Sequence, residues 1–270
     1  MRHTSPIKPQ FFVTSPQHCP YLAGQMERKL FTTLNNKDAE KLNNSLTQQG
    51  FRRSQNVIYR PSCMNCAACL PVRINVSIFK SSKSQRRTLQ RNRHLVRNVK
   101  HAIATKEGYD LFQRYLNGRH PNGGMTDMDC SEFQDMIEDT PVQSRLVEYR
   151  EGDSLKLIAV SMTDILQDGI SMMYSFFSPT QSKQSLGTFM ILDHVTLAQQ
   201  QKLHYVYLGY WVHGSKKMHY KSKFSGLEVF IGGQWQHLSD IDSFTRSSIP
   251  SATEGIKSQI ASIRLPDRIS

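Results

Sequence analysis

Three cysteines within seven residues, Cys63, Cys66 and Cys69, constrain this chain more than any other feature. They lie in the run Tyr59-Arg-Pro-Ser-Cys-Met-Asn-Cys-Ala-Ala-Cys-Leu-Pro-Val-Arg73. Such spacing suits a disulfide framework poorly, the more so because the chain has five cysteines, an odd number. In a reducing compartment it points to metal binding or redox chemistry. Cys19 is available as a fourth thiol from an earlier segment, and four thiolates satisfy either tetrahedral zinc or an iron–sulfur cluster. A metal-free, redox-sensing or merely buried cluster is the competing reading. His18 is a substitute ligand or a surface histidine near Pro20. Cys130 reads as a small, semi-buried apolar residue.

Charge narrows the choice. The chain carries 34 Lys and Arg against 22 Asp and Glu, a formal net charge of +12. Between Arg52 and Lys100 stand twelve cationic side chains and no carboxylate, so the entire excess lies in one segment. A localised excess of this kind is a footprint for polyanions, because each neutralised phosphate releases condensed counterions. A basic face kept only for solubility needs no such segregation. Arg86, Arg87 and Arg91 fall at i, i+1 and i+5 of an expected helix, and with Lys83 they form a clamp for RNA phosphates.

At 270 residues the chain suits one large domain or two ordinary ones. No apolar run approaches the roughly 18 residues of a membrane span. Residues 1–15 lack the apolar stretch of a signal peptide. The expected location is the cytoplasm, without a membrane partner.

Leu22, Met26, Leu30 and Leu34 at fourfold spacing predict a helix over residues 20–34, and a second is expected over 37–49, ended by Gly50. Residues 57–59 read as a short strand. Val72, Ile74, Val76 and Ile78 alternate with other residues as in a half-buried strand. Ser84 is positioned to cap a helix reaching about residue 100, with Leu89 and Val96 on its apolar face. Leu111, Phe112, Tyr115 and Leu116 predict a packed helix, followed by a turn at His120-Pro-Asn-Gly-Gly124 and a helix over 131–137. Three strands are expected at 144–150, 155–162 and 170–177, the last broken by Pro179. Then come a helix at 185–199, a strand at 204–208, a short helix at 215–222 and a hairpin across Gly232-Gly233. This order predicts an α+β fold built on a GNAT-like acyltransferase sheet, with a Cys-containing basic N-terminal region. The expected divisions are 1–105, 106–241 and a flexible tail, 242–270.

Gln184-Ser-Leu-Gly187-Thr-Phe189 lies where GNAT enzymes cradle the coenzyme A pyrophosphate. Phe189 occupies the second glycine position, where its bulk is expected to hinder close approach of a phosphate. Simple capping of the following helix by Ser185 is the plain alternative.

Several segments together resemble one family. Cys19-Pro-Tyr-Leu22, the Tyr59–Arg73 run and Ser84-Gln-Arg-Arg-Thr-Leu-Gln-Arg-Asn92 resemble the N-terminal region of arginyl-tRNA–protein transferases. Ser185-Leu-Gly-Thr188, Tyr207-Leu-Gly-Tyr-Trp211, Lys217-Met-His-Tyr-Lys221 and residues 224–228 resemble their C-terminal region. The Cys-x-x-Cys-x-x-Cys run is similar to that of the bacterial branch, the aspartate/glutamate leucyltransferases. Arg93-His94, Ser178 and Gly226 depart from the family's usual residues, which bears on fine substrate preference.

The resemblance implies transfer of leucine from leucyl-tRNA to proteins that begin with Asp or Glu, marking them for degradation through the N-degron pathway. It implies that Tyr207, Tyr210, Lys217, Tyr220 and Lys221 line the catalytic site, and that the Cys site holds zinc or an iron–sulfur cluster. Packing aromatics and a solvated helix face are the alternative roles for those residues. Aminolysis of an ester runs downhill and needs no nucleotide cofactor. The nucleophile, an α-amine of pKa about 7.7–8.0, is already partly neutral. Asp164, expected just after a strand, is a candidate proton acceptor or a plain turn residue. Arg73, leaving the Cys loop, is a candidate for binding the acidic N-terminal side chain, or a phosphate. The rival readings are an arginyl-tRNA-dependent enzyme of the same fold and a non-catalytic, metal-containing RNA-binding protein.

Overall fold

A spacing of four is also a multiple of two, and residues 20–34 form a turn and two short strands rather than a helix. Lys29–Thr33 carries Phe31, Thr32 and Thr33, side chains that favour a pleated backbone, and it buries Leu30 and Thr32 in alternation. Gly24, at φ +73°, turns the chain before it. The computed structural model describes residues 9–35, 37–119, 121, 123–215, 217–238 and 255–266. They fall into two compact units, Met1–Ile74 with Leu208–Ser270, and Asn75–Tyr207. That division differs from the expected one at residue 105, because residues 227–229 return to pair with residues 72–74.

In the first unit, β1 (Phe12–Val13), β2 (Gln17–His18), β3 (Met26–Glu27) and β4 (Lys29–Thr33) precede α1 (Ala39–Gln48). Then follow β5 (Arg52–Ser54), β6 (Val57–Pro61) and β7 (Cys69–Asn75). Strands β1, β4, β6 and β5 form a sheet in that order, and β2 pairs with β3. Helix α1 buries Leu42 and Leu46 and stops, as expected, at Gly50. That residue has φ +81°, and a Cβ there would lie 2.8 Å from Pro71 Cγ, so glycine is required twice over. Strand β7 buries Val72 and Ile74, but it ends before Ile78, which is exposed.

The second unit begins with α2 (Lys83–Arg91) and β8 (Leu95–His101), where one long helix was expected. Ser82, not Ser84, caps α2, in a reciprocal box with Gln85. The helix stops at Asn92, and Leu95, Val96 and Val99 then join a ladder with Glu151, Arg150 and Val147. The buried face of α2 is Gln85, Thr88 and Asn92, while Val96 is exposed. After α3 (Lys106–Arg119) and α4 (Cys130–Glu138) come β9 (Ser144–Glu151), β10 (Leu157–Ile165) and β11 (Gly169–Phe177), antiparallel neighbours as expected. A 3-10 helix at Pro179–Gln184 leads into α5 (Leu186–Gln200), and β12 (Tyr205–Val212) then pairs parallel to β11 at Gly169–Tyr205. The order within this unit is β12-β11-β10-β9-β8.

Strand β10 is buried from Leu157 to Asp164, which a sheet covered on both faces requires. Phe112 of α3 packs on Phe176 on one side, at 5.4 Å between centroids. On the other, Phe189 of α5 packs on Tyr149 at 5.3 Å. Phe189 is therefore a core residue, and the expected obstruction of a phosphate loop does not arise from it. Ser185 makes no side-chain cap to α5 and sits at φ 53°. Cys130 is exposed at the start of α4, where Asp129 supplies the cap.

The chain re-enters the first unit along β12. A 3-10 helix, His219–Lys223, leads to the hairpin of β13 (Leu227–Ile231) and β14 (Gln234–His237), giving the order β14-β13-β7-β12. Part of the expected loose tail is ordered. Helix α6 (Ile256–Ala261) buries Gln259, whose carbonyl accepts from Arg60 Nη2 at 3.0 Å. The carbonyl of Arg264 accepts from Gln49 of the α1 segment at 2.7 Å. The rest of that tail, and His120 and Asn122 of the expected turn, lie outside the described residues. Among the described residues no helix is long and apolar enough to cross a membrane.

Candidate active site

The first unit holds a cavity of about 110 Å³ whose walls come from distant stretches of sequence. Its lining includes Cys19, Tyr21, Glu27 and Lys29 from the β2–β4 segment, Arg52 and Tyr59 from β5 and β6, Cys63, Cys66 and Cys69, and Tyr210 and Met218. The structure thus brings together all four cysteines singled out from the sequence. Cys63 is buried, the other three are half-buried, and none is in a disulfide. Burial, together with the neighbouring thiols and Glu27, pushes the Cys69 thiol up to about 12 and raises that of Cys63.

This donor set has the number and softness that zinc or an iron–sulfur cluster takes. Among the described residues, however, no three His, Cys, Asp or Glu side chains are placed ready to hold a metal ion. The chemistry fits such a centre, and the thiols would have to close around it.

Strand β12 contributes Tyr210 to this lining. Gly209 has φ +71°, and a Cβ there would run into the guanidinium of Arg52, with Cζ at 2.8 Å. The carbonyls on either side of this kink, those of Leu208 and Tyr210, accept from Lys221 Nζ at 2.7 and 2.8 Å. Lys221 is buried, and desolvation, then the nearby Arg52 charge, lowers its pKa to about 7. The Tyr210 hydroxyl points at the carbonyls of Tyr59 and Gly50, at 2.9 and 3.1 Å. Burial raises its pKa well above the usual phenol value. Tyr210 and Lys221 therefore brace the cavity wall, and their polar atoms are engaged with backbone rather than presented to a substrate.

The other expected site residues separate. Lys217 and Tyr220 are exposed in the segment that contributes Met218 to the cavity. Arg73 is not an open carboxylate receptor. It pairs with Glu228 at 2.7 Å and lies 4.3 Å from the Trp235 ring, because the β7–β13 register sets it opposite Glu228. His18 is exposed on β2.

Tyr207 and Asp164 belong to the second unit. The Tyr207 hydroxyl donates to Asp168 Oδ2 at 2.9 Å. Asp164 lies inside β10 rather than after a strand, buried, and accepts from Ser144 Oγ at 2.6 Å. Lys83, Arg86 and Arg87 project from α2 as an exposed basic face, with Arg86 Nη1 also donating to the Ser81 carbonyl at 2.6 Å. Arg91 donates to the carbonyl of Lys183.

Sequence reasoning missed Arg52. Its charge was visible within the basic segment, but nothing local joined it to Gly209 of the Tyr207-Leu-Gly-Tyr-Trp211 run.

Residues 17–87 match the family model described as arginine-tRNA-protein transferase, N terminus, and residues 107–231 match the corresponding C terminus. The chain belongs to the arginine-tRNA-protein transferase family. Its four cavity cysteines, Arg52, Arg73, Lys83, Arg86 and Arg87 fall within the N-terminal match, and Asp164, Tyr207, Tyr210, Lys217, Tyr220 and Lys221 within the C-terminal one.

The chain is 59% identical to the aspartate/glutamate leucyltransferase of Ruegeria pomeroyi, over 99% of this chain and 98% of that protein. It is 57% identical to the protein of that name from Ruegeria sp. TM1040, over 100% and 98%, and 53% identical to the one from Paracoccus denitrificans, over 98% and 99%. Likeness to solved structures is loose. The structure of L-PGS from Bacillus licheniformis matches 53% of this chain and 45% of that one, at 12% identity and a TM-score of 0.42.

Proposed function

We propose that this chain transfers leucine from leucyl-tRNA to the N-terminal Asp or Glu of acceptor proteins, in the cytoplasm, as a step of an N-degron pathway. One observation carries the reading: relatives named aspartate/glutamate leucyltransferase align with the whole chain at more than half identity. The order β9-β10-β11-α5-β12, with β12 parallel to β11, supports a GNAT-like sheet using aminoacyl-tRNA in place of acyl-coenzyme A.

The reaction asks for positioning more than for acid–base power. The acceptor's neutral α-amine attacks the ester carbonyl, an amide C–N bond forms, and the ester C–O bond to the ribose breaks. The proton lost by the attacking amine leaves with the ribose oxygen. Holding the two reactants together is worth about 7–11 kcal/mol in well-oriented pairs, and each donor to the tetrahedral oxyanion about 2.7–4. Lys217 and Tyr220 supply exposed donors beside the cavity. Lys221 and Tyr210 act through the wall they brace, and Tyr207 and Asp164 act within the second unit.

The exposed face of α2 carries the tRNA contacts. Replacing Arg86 and Arg87 together by Ala is expected to weaken tRNA binding and reduce the salt-dependence slope by about two. A slope that does not change in a salt titration removes them from the RNA surface.

Cys19, Cys63, Cys66 and Cys69 would hold zinc or an iron–sulfur cluster, which when bound would fasten the β2–β4 segment to the loop before β7. Cys66→Ser is then expected to lower the melting temperature by several degrees and to reduce the metal recovered with the protein. Normal melting with full activity would show that no essential centre is there.

The deciding experiment is single-turnover transfer from labelled leucyl-tRNA and arginyl-tRNA to peptides beginning with Asp, Glu, Ala or Lys. Leucine on the acidic peptides alone is the expected result. The family model's description gives the arginyl-tRNA arm its weight. Arginine appearing on those peptides would change the donor, and no transfer from either would overturn the reading.

A further inference from the structure

We propose that this chain pairs with a second copy of itself along the open edge of β8, the second unit of each copy joining one continuous antiparallel sheet. The spare backbone groups of that edge match their own reversed copy. The pairing concerns the second unit alone and is independent of the donor and acceptor of the transfer reaction.

Strand β8, Leu95–His101, is the last of its sheet. It runs without proline or glycine and pairs with β9 in unbroken register. Edges that must stay alone are usually short, bulged, interrupted by proline or guarded by lysine charge. The charges of β8 are instead matched within their own unit, Arg97 by Asp193 at 3.0 Å and Lys100 by Glu148 at 2.8 Å. Val96 and Val99 stand about half exposed, at 50% and 47%.

The His94 carbonyl accepts from the Gly152 N–H on the β9 side. Backbone groups alternate along a strand, so those of Leu95, Arg97, Val99 and His101 point away from β9. Two of them are taken within the chain. The Leu95 N–H donates to the Asn92 carbonyl at 3.0 Å, and the His101 carbonyl accepts from the Ile103 N–H at 2.9 Å. Among the described residues this leaves both groups of Arg97 and Val99, the Leu95 carbonyl and the His101 N–H for a neighbour.

A two-fold axis normal to the sheet keeps the α5 face of both copies on one side, so odd residues oppose odd and even oppose even. With Asn98 on the axis, Arg97 faces Val99 of the second copy and Leu95 faces His101. The one bond this register cannot make joins the Leu95 N–H to the His101 carbonyl, and those are the two groups already satisfied. Every other outward group finds a partner. Charge selects the same register, because Arg97 meets Val99 and Lys100 meets Val96, and the cationic stems cover the exposed valines. Sliding the copies by two residues either way sets Arg97 against Arg97 or against His101. It also leaves the Val99 carbonyl or the Arg97 N–H unmatched.

A single strand pair is a small interface, so the dimer is expected to be reversible. Sedimentation velocity on the full-length protein from about 1 to about 200 µM brackets such an interface and should show monomer passing to dimer. Val99→Pro removes an outward N–H without touching the ladder to β9. It should weaken association at least about tenfold and leave the melting of dilute protein unchanged. Val96→Lys, which faces Lys100 of the second copy, should weaken association about tenfold, and Val96→Glu should strengthen it. Mild oxidation should cross-link Asn98→Cys faster than wild type or Val96→Cys, since a non-hydrogen-bonded pair on the axis lies at disulfide distance.

A monomer at every concentration would overturn the proposal. Association that survives Val99→Pro undiminished would move the contact elsewhere and overturn it too. If Val99→Pro does not fold, equal association of Val96→Lys and Val96→Glu overturns the edge pairing. Cross-linking of Asn98→Cys no faster than that of Val96→Cys overturns the register. Amide exchange in β8 that slows only when a peptide beginning with Asp is added to a monomer would give the edge to the acceptor instead.

Discussion

Lys221→Met is expected to destabilise the protein by about 2–4 kcal/mol at pH 7, with a deficit that grows as the pH rises. The loss at pH 7 comes from two carbonyls. Lys221 Nζ is the donor to Leu208 and Tyr210 inside the first unit, and a buried acceptor left without its donor costs about 1–3 kcal/mol. Methionine fills similar space without the ammonium, so part of that cost is returned as relief from burying a charge.

The pH dependence has a definite sign. The folded-state pKa of Lys221, about 7, lies below the ordinary 10.5, so between those values the unfolded chain binds more protons than the folded one. Stability from this group is present above about pH 10.5 and is lost as the pH falls towards 7. Between pH 7 and pH 9 the wild type should gain about 2 kcal/mol that the variant cannot. Urea denaturation of both proteins across that range isolates the effect, since every other ionisable group is common to the two. Parallel stability curves would mean that the amine is hydrated and charged in the native state.

Gly209→Ala is expected to cost about 1–3 kcal/mol of stability through its positive φ. The added methyl group meets the Arg52 guanidinium, which is the flexible end of a long side chain and yields before β12 does. Arg52→Ala removes the collision, so Gly209→Ala should cost about 1 kcal/mol less in that background, a coupling within the range found for residues in contact. Strict additivity in the four-protein cycle would show that the two residues do not touch in solution.

The elements read correctly from the sequence are those specified by their own neighbours in the chain. Gly50 ends α1, β9, β10 and β11 follow one another as three neighbouring strands, and Gly232-Gly233 turns the final hairpin. Errors arose where a local pattern supports two outcomes. Fourfold spacing over residues 20–34 is compatible with a helix or a strand, and the flanking turn and the pairing of β4 with β6 chose the strand. The basic stretch after Ser84 has no glycine or proline to stop a helix, yet Asn92 does so because its side chain bonds to the carbonyls of Thr88 and Gln184.

The sequence by itself determined the chemistry available: four soft thiols, one segregated basic segment, and the motif series of a transferase family. Only the tertiary structure decided which groups meet. It set Arg73 opposite Glu228, closed Tyr210 and Lys221 onto backbone carbonyls, and laid Arg52 against Gly209. Caps, turns and periodicity act between residues a few positions apart and so leave a local mark. Sheet register and close packing join residues far apart in the chain, and no short stretch of sequence records that choice.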